Sequence, residues 1–459
     1  METKGPDPLK ARPNIPSIET SSTTPRLPLL PGSLTLLSSA VHTHPRSTHP
    51  HTGPMAPSSS PPALKVRSWA DLEAGPAGLI AECVLAYDVA DYISFRAVCR
   101  PWRQCSPAPR AYDSLDRRIH PRRWIMLREP LSAPSRRSDR RLYPRERIRL
   151  ATPDCRRHFL STSTGKCIHI EIPELRGHDV LALTAEGLLV LLDRPQRTAV
   201  RLFNPLTRHL TELPPLTTLL SQEQRDCLLS SLDVSAHFGT WGSGILNLND
   251  DDSTVVLCFN SLSMLGMAKK GDVCWTPLNI FSPIQMAPLI FLGRFYCVTI
   301  QAVMVLEDQP PRLEVAARLP NRFQNKGDSV HLVDNDGDLM LVHRSRTVSR
   351  YARYGYDAYQ VDLDARTVCR VNSLGGGGHA LFIGMYCSLS VTSDAFPAGS
   401  FSSDTIYLSF DIGERVQTEG FLLADRSIIP TSSYIQNHLS VPQPQTLVDC
   451  LSLCSTGQI

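Results

Sequence analysis

Apolar residues recur along this chain in two different periods, and the change between them divides it. Over residues 69–103 (WADLEAGPAGLIAECVLAYDVADYISFRAVCRPWR), Leu79, Ile80, Cys83, Val84 and Tyr87 fall at i, i+1, i+4, i+5 and i+8 after Pro76. That spacing predicts a helix with one apolar face. Asp88 and Asp91 are suited to cap a second short helix carrying Tyr92, Ile93, Phe95, Val98 and Cys99. Pro101 ends that helix and fits the first turn of a third, which carries Trp102. Three helices in roughly 35 residues make a marginal core, so part of this apolar surface is expected to meet a partner.

Beyond residue 159 the pattern changes to short apolar runs separated by turns. Residues 124–127 predict a strand ahead of this region, and 181–192 predict two around Ala185-Glu186-Gly187. Further strands are expected at 199–203, 254–260, 273–278, 290–300, 302–307, 330–333, 339–343, 359–363, 367–372, 380–383, 389–391 and 405–410. No long helical period follows residue 120. So many short strands cannot form one flat sheet without long exposed edges. Radial repetition of four-stranded blades solves this, at about 40–45 residues each. The expectation is a small all-α module followed by an all-β domain, a β-propeller, with a multi-sheet sandwich as runner-up.

Composition changes this picture mainly at the ends. Residues 1–65 are rich in Pro, Ser, Thr and His and are expected to be a disordered extension. They contain no acidic residue between Ser21 and Ala70, which invites a transit-peptide reading, although Met55 offers a second start. The domain boundaries expected are 66–108 for the helices, 109–157 for a basic linker with the first strand, 158–431 for the sheet domain, and 432–459 for a polar tail. Arginines crowd the linker, as in Arg136-Arg137-Ser-Asp-Arg140-Arg141. The run lacks the interleaved aromatics of single-strand binders, so a solvated loop is favoured over nucleic-acid binding. The 13 cysteines are scattered, many in apolar runs, as suits reduced thiols in the cytoplasm or nucleus. The apolar stretch 288–306 is broken by Gly293, Arg294 and Gln301, and no membrane span is expected.

Two resemblances rest on particular residues. Leu72, Leu79-Ile80, Asp91, Phe95-Arg96, Val98-Cys99 and Trp102-Arg103 resemble an F-box, the adaptor-binding module of cullin-based ubiquitin ligases. The run FRAVCRPWR is its most specific part, and Glu73 stands where many F-boxes have proline. The segments ELRGHDVLALTAEGLLVLLD, VRLFNPLTRHLTELPPL and GGHALFIGMYCSLSVTSDAFPAGSFSSDTIYLSF resemble the plant domain of unknown function 295, the KIB-type β-propeller. Together these resemblances imply a plant F-box protein that acts as the substrate receptor of a Skp–cullin–F-box (SCF) ubiquitin ligase. Leu72, Leu79, Ile80, Cys83, Val84, Phe95, Val98, Cys99 and Trp102 would bind a Skp-type adaptor, and through it a cullin–RING ligase. The propeller would hold a target protein of unknown identity. The alternative is an adaptor-independent propeller that binds and inhibits a partner.

Catalytic patterns are not evident. The tetraglycine 375–378 has no following Lys-Ser/Thr, and Asp334, Asp336 and Asp338 lack the Glu that closes a calcium loop. Asn335-Asp-Gly337 between apolar runs is good hairpin chemistry. No G-x-S-x-G or H-E-x-x-H occurs, and no pair of cysteines has C-x-x-C spacing. The expectation is a non-enzymatic receptor with no catalytic residues, cofactor or metal.

Overall fold

The computed structural model describes residues 69, 72–127, 155–194, 198–230, 240–246, 253–259, 262–308, 310–323, 328–346, 354–384, 387–409, 417–433 and 451. The expected extension 1–65, most of the tail and the core of the arginine run lie outside them. Three helices open the described chain: α1 (Ala74–Tyr87), α2 (Val89–Val98) and α3 (Arg100–Gln104).

Six sheets follow among the described residues, the blades of a β-propeller. The first is β1 (Trp124–Met126), β2 (Arg156–Ser161) and β3 (Cys167–Glu171). The second is β4 (His178–Leu183), β5 (Leu189–Asp193), β6 (Val200–Phe203) and β7 (Leu210–Leu213). The third is β8 (Thr240–Leu246), β9 (Thr254–Phe259), β10 (Met264–Lys269) and β11 (Thr276–Asn279). The fourth is β12 (Leu289–Phe291), β13 (Arg294–Val298), β14 (Ala302–Asp308) and β15 (Pro311–Arg318). The fifth is β16 (Ser329–Asn335), β17 (Asp338–Arg346), β18 (Tyr354–Asp362) and β19 (Thr367–Val371). The sixth joins β20 (His379–Ile383), β21 (Ser388–Thr392), β22 (Thr405–Ser409), β23 (Gln417–Leu422) and β24 (Ile428–Ser433) in the order β21-β20-β22-β23-β24. Its β20–β22 pair is parallel, while the other ladders are antiparallel.

The packing explains why the strands read as continuous apolar runs. Successive side chains of a strand point to opposite faces of its sheet, and a blade has a neighbour on each face. In β9 (TVVLCF), Val255, Leu257 and Phe259 pack toward the second blade, and Val256 and Cys258 toward the fourth. In β17, Leu339 and Leu341 face the fourth blade, and Met340 and Val342 the sixth. The ring closes where Leu160 of the first blade meets Phe382, Val391 and Tyr407 of the sixth. Leu451 of the expected polar tail is fully buried at that junction.

Three sequence expectations differ from this arrangement. A domain boundary at 158 cuts the first blade, because β1 precedes it and residues 109–127 are folded rather than a solvated linker. The expected strand 290–300 is a hairpin, since Leu292 and Gly293 both take positive φ (48° and 77°) and turn the chain. A nine-residue helix, α4 (Gln222–Ser230), interrupts the β region. The Asp336–Gly337 hairpin matches its sequence signal, with φ of 54° and 93° linking β16 to β17.

Candidate functional site

The helical module is built by local signals. Asp88 ends α1 and caps α2, its Oδ1 accepting from Ala90 N–H at 2.7 Å. Pro101 lies in the first turn of α3. The inward face of α1 carries the buried Ala77, Ala81 and Leu85; Ala81 and Leu85 pack with Val89, Tyr92 and Phe95 of α2, with Ile119 beneath. Phe95 stacks on Trp102 at 4.4 Å between ring centroids, and Tyr92 Oη donates to Pro107 O at 2.7 Å.

The predicted apolar stripe of α1 therefore points mostly the other way. Leu79 is 71% exposed, and Ile80, Cys83 and Tyr87 are exposed as well; only Val84 packs against the core. The reason is that α1 is apolar on both sides, and its small residues Ala77 and Ala81 allow the closer helix contact. Val98 of α2 is 64% exposed, and Leu72, Cys99 and Trp102 are half-buried. Phe95 is 8% exposed, so it supports the module from within. As a surface anchor, the role expected of it from sequence, it is displaced by its own packing on Trp102.

The opposite side of the module is fastened to the propeller. Trp124 Nε1, at the start of β1, donates to both carboxylate oxygens of Asp88 at 3.1 and 3.0 Å, and both residues are buried. Asn204 Nδ2, in the β6–β7 turn, donates to Ile119 O at 2.7 Å, and Arg110 Nε donates to Thr207 O at 3.0 Å. Leu206 packs against both the module core and the core between the first two blades. Lys166 pairs with Asp91 at 3.6 Å, Arg118 pairs with Glu82 at 3.1 Å, and the Arg123 guanidinium lies 4.2 Å from the Tyr87 ring centroid.

The propeller also holds a central cavity, about 980 Å³, lined by residues from all six blades. Ser243 Oγ and Glu186 Oε2 are buried beside it with no hydrogen-bond partner among the described residues. Burial raises the Glu186 pKa, while contacts from Thr184 and the Ile245 backbone offset part of the rise. Among the described residues, no helix is long and apolar enough to cross a membrane, and no three His, Cys, Asp or Glu side chains stand together as metal ligands.

Six blades around a central cavity, with a helical module fixed to the first two, define a β-propeller protein with an appended helical unit. The model of the KIB1-4 beta-propeller family matches residues 159–432, and the chain belongs to that family. No curated protein matches it. Among solved structures, the WD40 domain of SCAP from fission yeast is similar at 12% identity and TM-score 0.32, over 63% of this chain and 64% of that one. YCF48 from Cyanidioschyzon merolae is similar at 12% identity and TM-score 0.24, over 49% of this chain and 72% of that one.

Proposed function

We propose that this chain is the substrate-recognition subunit of an SCF-type ubiquitin ligase, its helical module binding a Skp-type adaptor and its propeller binding the target. The observation that carries the reading is the exposed apolar surface of Leu79, Ile80, Cys83 and Val98 on helices whose core is already filled by their other face. Exposed apolar surface of this kind marks interaction sites. Leu79, Ile80 and Val98 are also positions of the F-box resemblance. The propeller supplies a broad, rigid platform, and the fastened module holds it at a set distance from whatever the helices bind. The gain is effective concentration and orientation of a target, with no chemistry at this chain.

The test is reconstitution with purified adaptor, cullin and RING subunits. The wild-type chain should enter the complex, and Leu79→Asp with Ile80→Asp should be excluded from it at unchanged melting temperature. Assembly that survives the double substitution would leave the adaptor-independent inhibitory propeller as the better reading.

A further inference from the structure

We propose that Arg117, Arg122 and Arg123, at the rim of the central cavity, are the target-binding site and take an extended, carboxylate-rich segment of a partner protein. The proposal rests on the receptor reading above, and names the chemistry of what the propeller holds. The three arginines flank the buried turn Ile119-His120-Pro121, which leads into β1, and all three line the cavity. None of them makes an ion pair with a described residue, whereas nearby Arg118 is matched by Glu82 and Asp116, and Arg294 by Glu307. They also crowd one another: the Arg122 pKa is lowered by partial burial first, then by Arg117 and Arg123, with Asp88 and Glu186 offsetting part of the fall. Like charges crowded together with no ion pair among the described residues favour an anionic partner.

Carboxylates share the cavity without outnumbering the three arginines. Burial raises the Glu186 pKa, with Arg117 among the groups that oppose the rise. Asp334, whose Oδ1 accepts from Gly337 N–H at 2.9 Å, and Asp336 at the hairpin tip are the opposing charges. Leu292 lines the same cavity, 78% exposed and at positive φ, and offers an apolar contact beside the charges. A cavity of about 980 Å³ admits an extended segment and not a folded domain. Guanidiniums on both sides of a turn, with that of Arg123 also over the Tyr87 ring, suit a run of carboxylates better than one phosphate.

The test uses the full-length chain and a fluorescein-labelled decaglutamate peptide, read by fluorescence anisotropy across a salt series. Binding should weaken as salt rises. Arg117→Gln with Arg122→Gln should weaken it by about tenfold, while Arg136→Gln with Arg137→Gln in the basic run should leave it unchanged. Arg122→Gln alone, with a smaller loss, serves if the pair lowers the melting temperature. Loss through the 136/137 pair, or no binding by the wild type, would overturn the proposal. So would preferential capture of a monophosphorylated neutral peptide or an oligouridylate. Adaptor assembly should be untouched by Arg117→Gln with Arg122→Gln; peptide binding without adaptor assembly would refute the ligase reading and leave this site standing.

Discussion

Asp88 caps α2 and also receives the Trp124 indole on both carboxylate oxygens, so one buried side chain ties the module to the first blade. Asp88→Ala removes a cap worth about 1 kcal/mol and strands a buried N–H at about 1–3 kcal/mol. Urea unfolding should show a loss in that range, and Asp88→Asn, which can still accept, a smaller one. His331 is fully buried; its Nδ1 donates to Gly384 O at 3.0 Å and its Nε2 accepts from Ser329 Oγ at 3.0 Å, as only the neutral ring can do. Burial lowers its pKa to about 4, and that of His120 likewise to about 4. The unfolded chain takes up these protons near pH 6.5 while the folded chain refuses them until about 4. Stability should therefore be fully present above about pH 6.5 and fall as pH drops toward 4, and His331→Gln should flatten the slope of the urea midpoint between pH 7 and 5. The capping role of Asp88 was legible from its place before an apolar-periodic segment. Its bond to Trp124 was not, because no local pattern brings residues so far apart in sequence together.

At the scale of elements, the helical period of residues 79–87 identified α1 correctly and its buried face wrongly. Leucine, isoleucine and cysteine outrank alanine in any apolar count, yet Ala77 and Ala81 sit inside because helices approach more closely over small residues. Phe95 then becomes core with the half-buried Trp102 stacked on it, and Phe95→Ala should cost about 3–5 kcal/mol in unfolding of the module rather than act only on binding. The signal for α4 was present and overlooked: Ser221 Oγ accepts from Gln224 N–H at 3.3 Å while Gln224 Oε1 accepts from Ser221 N–H at 2.8 Å, a reciprocal capping box written as Ser-Gln-Glu-Gln. Strands were easier, since runs such as 254–259 are apolar throughout once both faces are covered. Close approach between blades was not legible. A Cβ on Gly244 of β8 would collide with Ile290 of β12, so Gly244→Ala should destabilise by about 1–3 kcal/mol, while Gly376→Ala, in open space, should be silent in the same thermal melt.

At the scale of the molecule, the ring of six blades and the helical module share one continuous set of contacts, from Leu206 and Trp124 through Asp88 to Phe95. The sequence texture led to a propeller rather than a sandwich, and the family match and the closed ring agree. It did not reveal that residues 109–127 weld the module to the blades, because an arginine-rich stretch reads as solvated until its neighbours are known. The weld makes a prediction: a target held at the cavity rim and a partner held by α1 and α2 sit in fixed relation, so loosening Asp88–Trp124 should slow target modification more than it weakens either binding step. The exposed face of the helices is the proposed adaptor site. It is tested by calorimetric titration of the purified full-length chain with a Skp-type adaptor, beside Leu79→Asp with Val98→Asp and with the unfolding midpoint of each protein. Saturable binding by the wild type, weakened by about thirtyfold or more in the variant at an unchanged midpoint, is the expected result; no heat of binding from a folded wild-type chain would contradict it.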